Sequence, residues 1–219
     1  MAAPETFVRD AGSEPANLAA ESLTVIACGA IAREILAVTA ANRLVHVTIT
    51  CLPAILHNDP KAIAPAVEAA IIAARTGGAG RIFVAYADCG TGGHLDAVCG
   101  RHGVARIAGP HCYSFFAGND RFAAAADAQM TTFWLTDFLA RQFDAFVARP
   151  LKLDRHPELI RMVFGHYEKL VYLAQTDAPD LDRRASRIAA QLGLTYERRL
   201  VGYGDLTDAI TAAAESRRL

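Results

Sequence analysis

The chain has 219 residues, 53% of them apolar and 21% charged, with a formal net charge of -1 and a pI near 6.6. That length suits one α/β domain with a sizeable core, and the apolar share is too high for a disordered tail. The lack of a basic excess argues against nucleic acid or an anionic membrane as partner, because clustered Lys and Arg carry phosphate binding.

Residues 1–21 contain acidic side chains and no apolar stretch of secretory length, so they read as a flexible extension before a single domain over 22–219. A strand is predicted at 23–28 (LTVIAC), followed by a helix, AIAREILAVTAANR, with Ile31, Ile35 and Val38 on its apolar face. A second strand at 45–50 leads into the loop CLPAILHNDP. The next helix runs from about Pro60 to Arg75, with Asp59 at the N-cap and Pro60 at the first helical position. A strand at 81–87, a Gly-rich turn, a helix at 94–102 stopped by Gly103, and a strand at 104–108 complete the first half. From about 113 to 166 the pattern reads as a helical insertion carrying Phe116, Phe133, Trp134, Phe138, Phe143 and Phe146. The chain then returns to the sheet at KLVYLAQT, passes a helix at about 180–192, forms the strand TYERRLVG and ends in a helix after Asp205. Near-continuous Val, Ile and Leu in the strands, with helix-length connections, predict a layered, mostly parallel sheet with helices on both faces.

No apolar run approaches the roughly 20 residues of a membrane span. The expected location is the cytoplasm, where thiols stay reduced, so five cysteines in an α/β pattern point to metal binding or catalysis ahead of disulfides. Four of the five fall at strand ends: Cys28, Cys51, Cys89 and Cys112. In an open parallel sheet those ends share one rim, and ligands bind in the crevice outside it. A thiol where a helix begins is more easily ionised, which favours metal ligation or nucleophilic attack. Cys28, Cys89 and Cys112 are therefore the expected metal ligands, with His57 and His111 as ligands or proton carriers. Zinc is the first expectation, iron the second, and an iron-sulfur cluster ranks lower because no close cysteine pair supports it. Cys99, inside a helix, reads as structural. The turn DCGTGGH offers the amides of Gly90, Gly92 and Gly93 to an anionic ligand group. Asp88 and Asp96 flank that turn as residues to orient a histidine, and GYGD at 202–205 is read as a second glycine turn on the same rim.

Three functions fit these residues. One is a metal site open to a small substrate, in a metal-dependent transferase or an accessory protein. The second is a metal-independent pair, Cys28 and Cys89, acting in proton transfer as in two-cysteine racemases. The third is a non-catalytic cofactor-binding module that docks a partner through the helical segment 122–148. Composition is compatible with a homo-oligomer through the helical layer.

In order along the chain, IACGAIAREI, LPAILHNDP, VAYADCGTGG, GPHCYSFFAG and TTFWLTDF resemble the DUF1638 family of bacterial and archaeal proteins over about residues 23–204. Its pattern of ACG, a Leu-His loop, a Cys-Gly turn and a later His and Cys matches Cys28, His57, Cys89 and Cys112. Here the histidine, His111, stands directly beside Cys112, where the family pattern has it further upstream. The resemblance implies an association with corrinoid proteins and methyltransferases of methylamine and one-carbon metabolism, and hence a role in methyl transfer.

Overall fold

The computed structural model describes residues 5–7, 22–125 and 130–216. It is an α/β structure in two compact units, one made of residues 1–112 with 205–219, the other of residues 113–204.

The first unit is built on five strands: β1 (Glu5–Phe7), β2 (Leu23–Cys28), β3 (Val47–Leu52), β4 (Arg81–Ala85) and β5 (Ala105–Arg106). Their spatial order is β1-β3-β2-β4-β5, with β1 antiparallel to β3 and every other pairing parallel. Part of the segment read as a loose extension is thus an edge strand, and the rest of it lies outside the described residues. Between β2 and β3 runs α1 (Ala32–Ala41), between β3 and β4 α2 (Pro60–Thr76), and between β4 and β5 α3 (His94–His102). Pro60 opens α2 as the sequence predicts, and Asp59 takes the N-cap position without a side-chain capping bond.

In-register parallel strands point paired residues to the same side, which settles how the sheet is covered. Ile26 and Val84 are paired, and with Leu52, Ile82 and Tyr86 they pack against Ile63, Val67 and Ile71 of α2 and Leu95 and Val98 of α3. The alternate residues Val25, Ala27, Phe83 and Ala85 are buried on the opposite side. That is why β2 and β4 read as continuous apolar runs. C-terminal helix α9 (Asp205–Glu215) packs against α1, and its Ala214 carbonyl meets His46 Nε2 at 3.2 Å and Arg81 Nη2 at 3.2 Å.

The second unit has its own parallel sheet, β6 (Thr132–Thr136), β7 (Lys169–Ala174) and β8 (Thr195–Leu200), in that spatial order. This corrects two expectations. Residues 113–166 are not purely helical, because TFWLT pairs with β7; its aromatic and β-branched residues favour a strand, but a five-residue apolar run beside a helix is ambiguous by periodicity alone. Strands 169–174 and 195–200 also join this second sheet and not the first. The unit's helices are α4 (Cys112–Ala117), which begins at the boundary, α5 (Asn119–Ala124), α6 (Asp137–Phe143), α7 (Leu159–Phe164) and α8 (Pro179–Leu192). Its core includes Leu135, Phe143, Leu170, Tyr172, Ile188 and Leu192.

One buried carboxylate organises this unit. Asp137, fully buried at the end of β6, accepts from Tyr172 Oη at 2.7 Å and the Gln175 amide at 3.0 Å through Oδ1, and from Thr176 Oγ1 at 2.5 Å and Arg141 Nη2 at 3.3 Å through Oδ2. Its own amide donates to Gln175 Oε1 at 2.7 Å. A buried charge persists only when such partners replace water.

Candidate functional site

The strand order of the first sheet fixes where a crevice forms. From β2 the chain moves outward to β3, then crosses back over β2 to β4 on its other side. The connections therefore leave in opposite directions from β2 and β4, which is the topological switch point where α/β sheets bind ligands. Cys28 ends β2, and the segment Tyr86 to Cys89 follows β4.

Register sorts the cysteines. Cys28 pairs with Leu52 and shares their side with Tyr86, and Cys28 and Cys89 both pack against the α2 and α3 cluster. Cys51 pairs with Ala27 one step earlier and points to the opposite side, where it is buried. It lies within β3 and leaves the Cys28 face for that reason. Cys99 is buried in the core, as expected of a structural cysteine, whereas Cys28, Cys89 and Cys112 are half-buried.

Close packing and backbone bonds hold the crevice walls. A Cβ on Gly29 would meet the Leu52 carbonyl at 2.9 Å and the Ala54 amide at 3.3 Å, so the glycine after Cys28 lets the loop after β3 close against the end of β2. On the other wall the Asp88 amide donates to the Gly109 carbonyl at 3.0 Å and the Cys89 amide to the Pro110 carbonyl at 2.8 Å. These bonds extend the pairing of β4 and β5 beyond the strands and bring Cys112, whose backbone N–H faces the Cys89 sulfur, to the site. Cys89 has φ of 50°, the left-handed region. A non-glycine residue held there carries strain of about 1 kcal/mol or more, a feature that clusters at functional sites.

The thiols are not activated in the way their positions suggested. Burial, then the adjacent Cys28 thiol, pushes Cys89 up to about 12, against a smaller opposing pull from the Cys112 N–H. Burial likewise raises Cys28, outweighing its contacts with the Ala30 backbone and Tyr86. The helix terminus does not decide the outcome: the Ala30 amide of the 3-10 turn Gly29–Ile31, which runs into α1, lowers Cys28 but is outweighed by burial, and Cys89 stands well before α3. The expected anion cradle is also occupied from within. Asp88 Oδ1 accepts from Thr91 Oγ1 at 2.6 Å and the Gly93 amide at 3.0 Å, and Oδ2 from the Gly92 amide at 3.2 Å. Desolvation pushes the Asp88 carboxyl up, but these bonds outweigh it and hold it below its ordinary value. Asp88 is thus the turn's own anion, and the amides of Gly92 and Gly93 are engaged. Asp96 is tied to Arg106 at 2.6 and 2.8 Å and orients no histidine.

His111 sits where burial lowers it, with Asp88 and His57 as its charged neighbours. His57 is exposed on the loop Ala54–Asn58. The structure therefore brings Cys28, Cys89, Cys112, His57 and His111 to one end of one sheet. Among the described residues, however, no three His, Cys, Asp or Glu side chains are disposed to hold a metal ion together. The GYGD turn follows β8, a strand of the second sheet.

Sequence reasoning missed Tyr86 as a site residue. Tyr86 is 2% exposed, and its buried hydroxyl has the Cys28 thiol as its hydrogen-bonding neighbour. Burial and the three neighbouring thiols, Cys28 foremost, push its ionisation far up, so it remains a donor. The available signal was its place one residue beyond β4, in phase with the side that carries Cys28.

The sequence profile of a family described as "Protein of unknown function (DUF1638)" matches residues 51–210, more than half of the chain. The chain belongs to the DUF1638 family. The match takes in Cys51, His57, Cys89, His111 and Cys112, while Cys28 precedes it. Comparison with curated proteins and with solved structures finds no match to this DUF1638 protein. Among its described residues no helix is long and apolar enough to cross a membrane.

Proposed function

We propose that the crevice at the ends of β2 and β4 is a thiol centre for a soft metal ion, zinc ahead of iron, serving methyl transfer in one-carbon metabolism. The observation that carries this reading is the convergence of Cys28 and Cys89 on one side of the sheet at the switch point, with Tyr86 just after β4 beside Cys28 and Cys112, His57 and His111 at the same end. Thiolate and imidazole are the donors that soft metals prefer. Cys28 and Cys89 supply two ligands, and the third comes from Cys112 or a loop histidine. The Cys112 N–H supports the charge on the Cys89 sulfur, as outer partners of metal thiolates do. The metal would act as a Lewis acid toward a small substrate in the open position. The Tyr86 hydroxyl, already beside the Cys28 sulfur, would donate to it as a thiolate.

A metal-independent cysteine pair is the second reading, supported by the proximity of Cys28 and Cys89. It is the weaker one, since buried neutral thiols need a positive charge nearby to become thiolates; no Lys or Arg acts on Cys28, and the pull of Arg106 on Cys89 is the smallest of the influences on it. The test is elemental analysis of untagged protein, before and after loading with zinc, beside Cys28→Ala and Cys89→Ala. Near-stoichiometric metal that falls at least tenfold in both variants supports the centre. Folded protein that takes up no zinc in excess sinks it and leaves the cysteine pair.

A further inference from the structure

A separate cleft opens between α2 and α3. Its volume is about 420 Å³, within the range of about 300–1,000 Å³ typical of small-molecule sites. The walls are apolar, formed by Pro60, Ala64, Pro65, Ala97 and Val98. Four charged or titratable side chains edge it: Lys61 and Glu68 from α2, His94 and Arg101 from α3. Glu68 is already neutralised, with Oε1 accepting from Arg101 Nη2 at 2.8 Å and lying 3.0 Å from His102 Nε2. Lys61 and His94 are exposed at the rim and carry no such internal partner. The cleft therefore presents a cationic edge over an apolar floor.

Pro65, inside α2, contributes its apolar ring to the cleft wall.

We propose that this cleft binds a small oxyanion with a compact apolar body, its carboxylate or phosphate held by Lys61 and His94 and its body seated against Pro65, Ala97 and Val98. The cationic edge selects charge, and the apolar walls exclude a bare, fully hydrated ion. Gly90 and Thr91, which follow Cys89, complete the lining, so the cleft adjoins the thiol centre, but no cysteine lines it.

The test is isothermal titration of the full chain with butyrate, phenyl phosphate, inorganic phosphate and neutral butyramide. Saturable binding of butyrate or phenyl phosphate is expected, and which of the two binds identifies the headgroup. Lys61→Gln should weaken it by about tenfold or more, the ordinary loss for one charge-assisted contact. Cys89→Ala should bind as tightly as the wild type, which separates this site from the thiol centre. Absence of saturable binding, equal binding of butyramide and butyrate, or unchanged affinity in a Lys61→Gln, His94→Gln double variant would overturn the proposal. Loss of binding in Cys89→Ala would also overturn it by moving the ligand to the thiols. Inorganic phosphate binding as tightly as phenyl phosphate would refute the role of the apolar walls.

Discussion

Replacing Asp137 by alanine removes the acceptor for four donors in the second unit. Tyr172 is fully buried and Gln175 is 4% exposed, so the Tyr172 hydroxyl and the Gln175 amide would be stranded away from water. Thr176 and Arg141 are partly exposed and recover hydration. A stranded buried donor costs about 1–3 kcal/mol, which gives about 2–6 kcal/mol for the two, with about 4 kcal/mol the expected centre. That is a large fraction of the ~5–15 kcal/mol that holds a typical protein folded. The chain's single tryptophan, Trp134, lies on β6 beside this network, so its fluorescence reports on the affected unit. With a urea m-value of about 2 kcal/mol/M, the unfolding midpoint should fall by about 2 M. Adding Tyr172→Phe to Asp137→Ala removes one stranded donor and should recover about 1–3 kcal/mol relative to additivity. A midpoint shift below about 0.5 M, or no coupling between the two substitutions, would refute the account of Asp137 as the organiser of this unit.

Other outcomes follow from the first unit and its neighbour. Cys89→Gly should be more stable than Cys89→Ala by about 1 kcal/mol in thermal unfolding, because only glycine adopts the left-handed backbone at this position without strain; equal stability would place the strain elsewhere. Iodoacetamide at neutral pH, followed by mass spectrometry, should label Cys28, Cys89 and Cys112 before the buried Cys51 and Cys99. Gly204→Ala should destabilise the second unit by about 2 kcal/mol or more, as its Cβ would fall 2.5 Å from the Phe116 carbonyl oxygen at a φ of 51°. Asp96, whose carboxyl is held below its ordinary value first by its bonds to Arg106, gives stability that is present above the unfolded carboxyl range and lost as pH falls through the folded value. Asp96 is more than half exposed, so Asp96→Asn should cost under about 1 kcal/mol at pH 7, and the difference from wild type should vanish in urea titrations near pH 2.

The first sheet was legible in the sequence because its strands are covered on both sides and its helices are bounded by strong signals. Pro60 opens α2, and Gly103 closes α3 with a left-handed residue. The second sheet was obscured because TFWLT is short and runs directly into α6, where Thr136 accepts from the Leu139 amide at 3.4 Å and starts the helix with no intervening loop. Cys28, Cys89 and Cys112 were readable as a group because strand ends are readable. The exclusion of Cys51 was not, since one residue of register decides which side it faces. The thiols' protonation could not be inferred from position, because desolvation depends on which side chains from distant segments surround the sulfur. Asp88 was read as a residue to orient a histidine; only the three-dimensional path of the turn reveals that it folds back onto its own carboxylate.

The crossover that places β4 beside β2 also dictates when the thiol crevice comes into being. Cys28 is made early in synthesis, yet its opposite wall does not exist until β3, α2 and β4 have been laid down, and the loop that buttresses Cys89 comes later still, from beyond β5. Non-local contacts of this kind form slowly because loop closure has to precede them. A nascent chain that stalls before Pro110 therefore carries Cys28 and Cys89 without the loop that buttresses Cys89, and maturation of the crevice is tied to completion of the first unit's sheet.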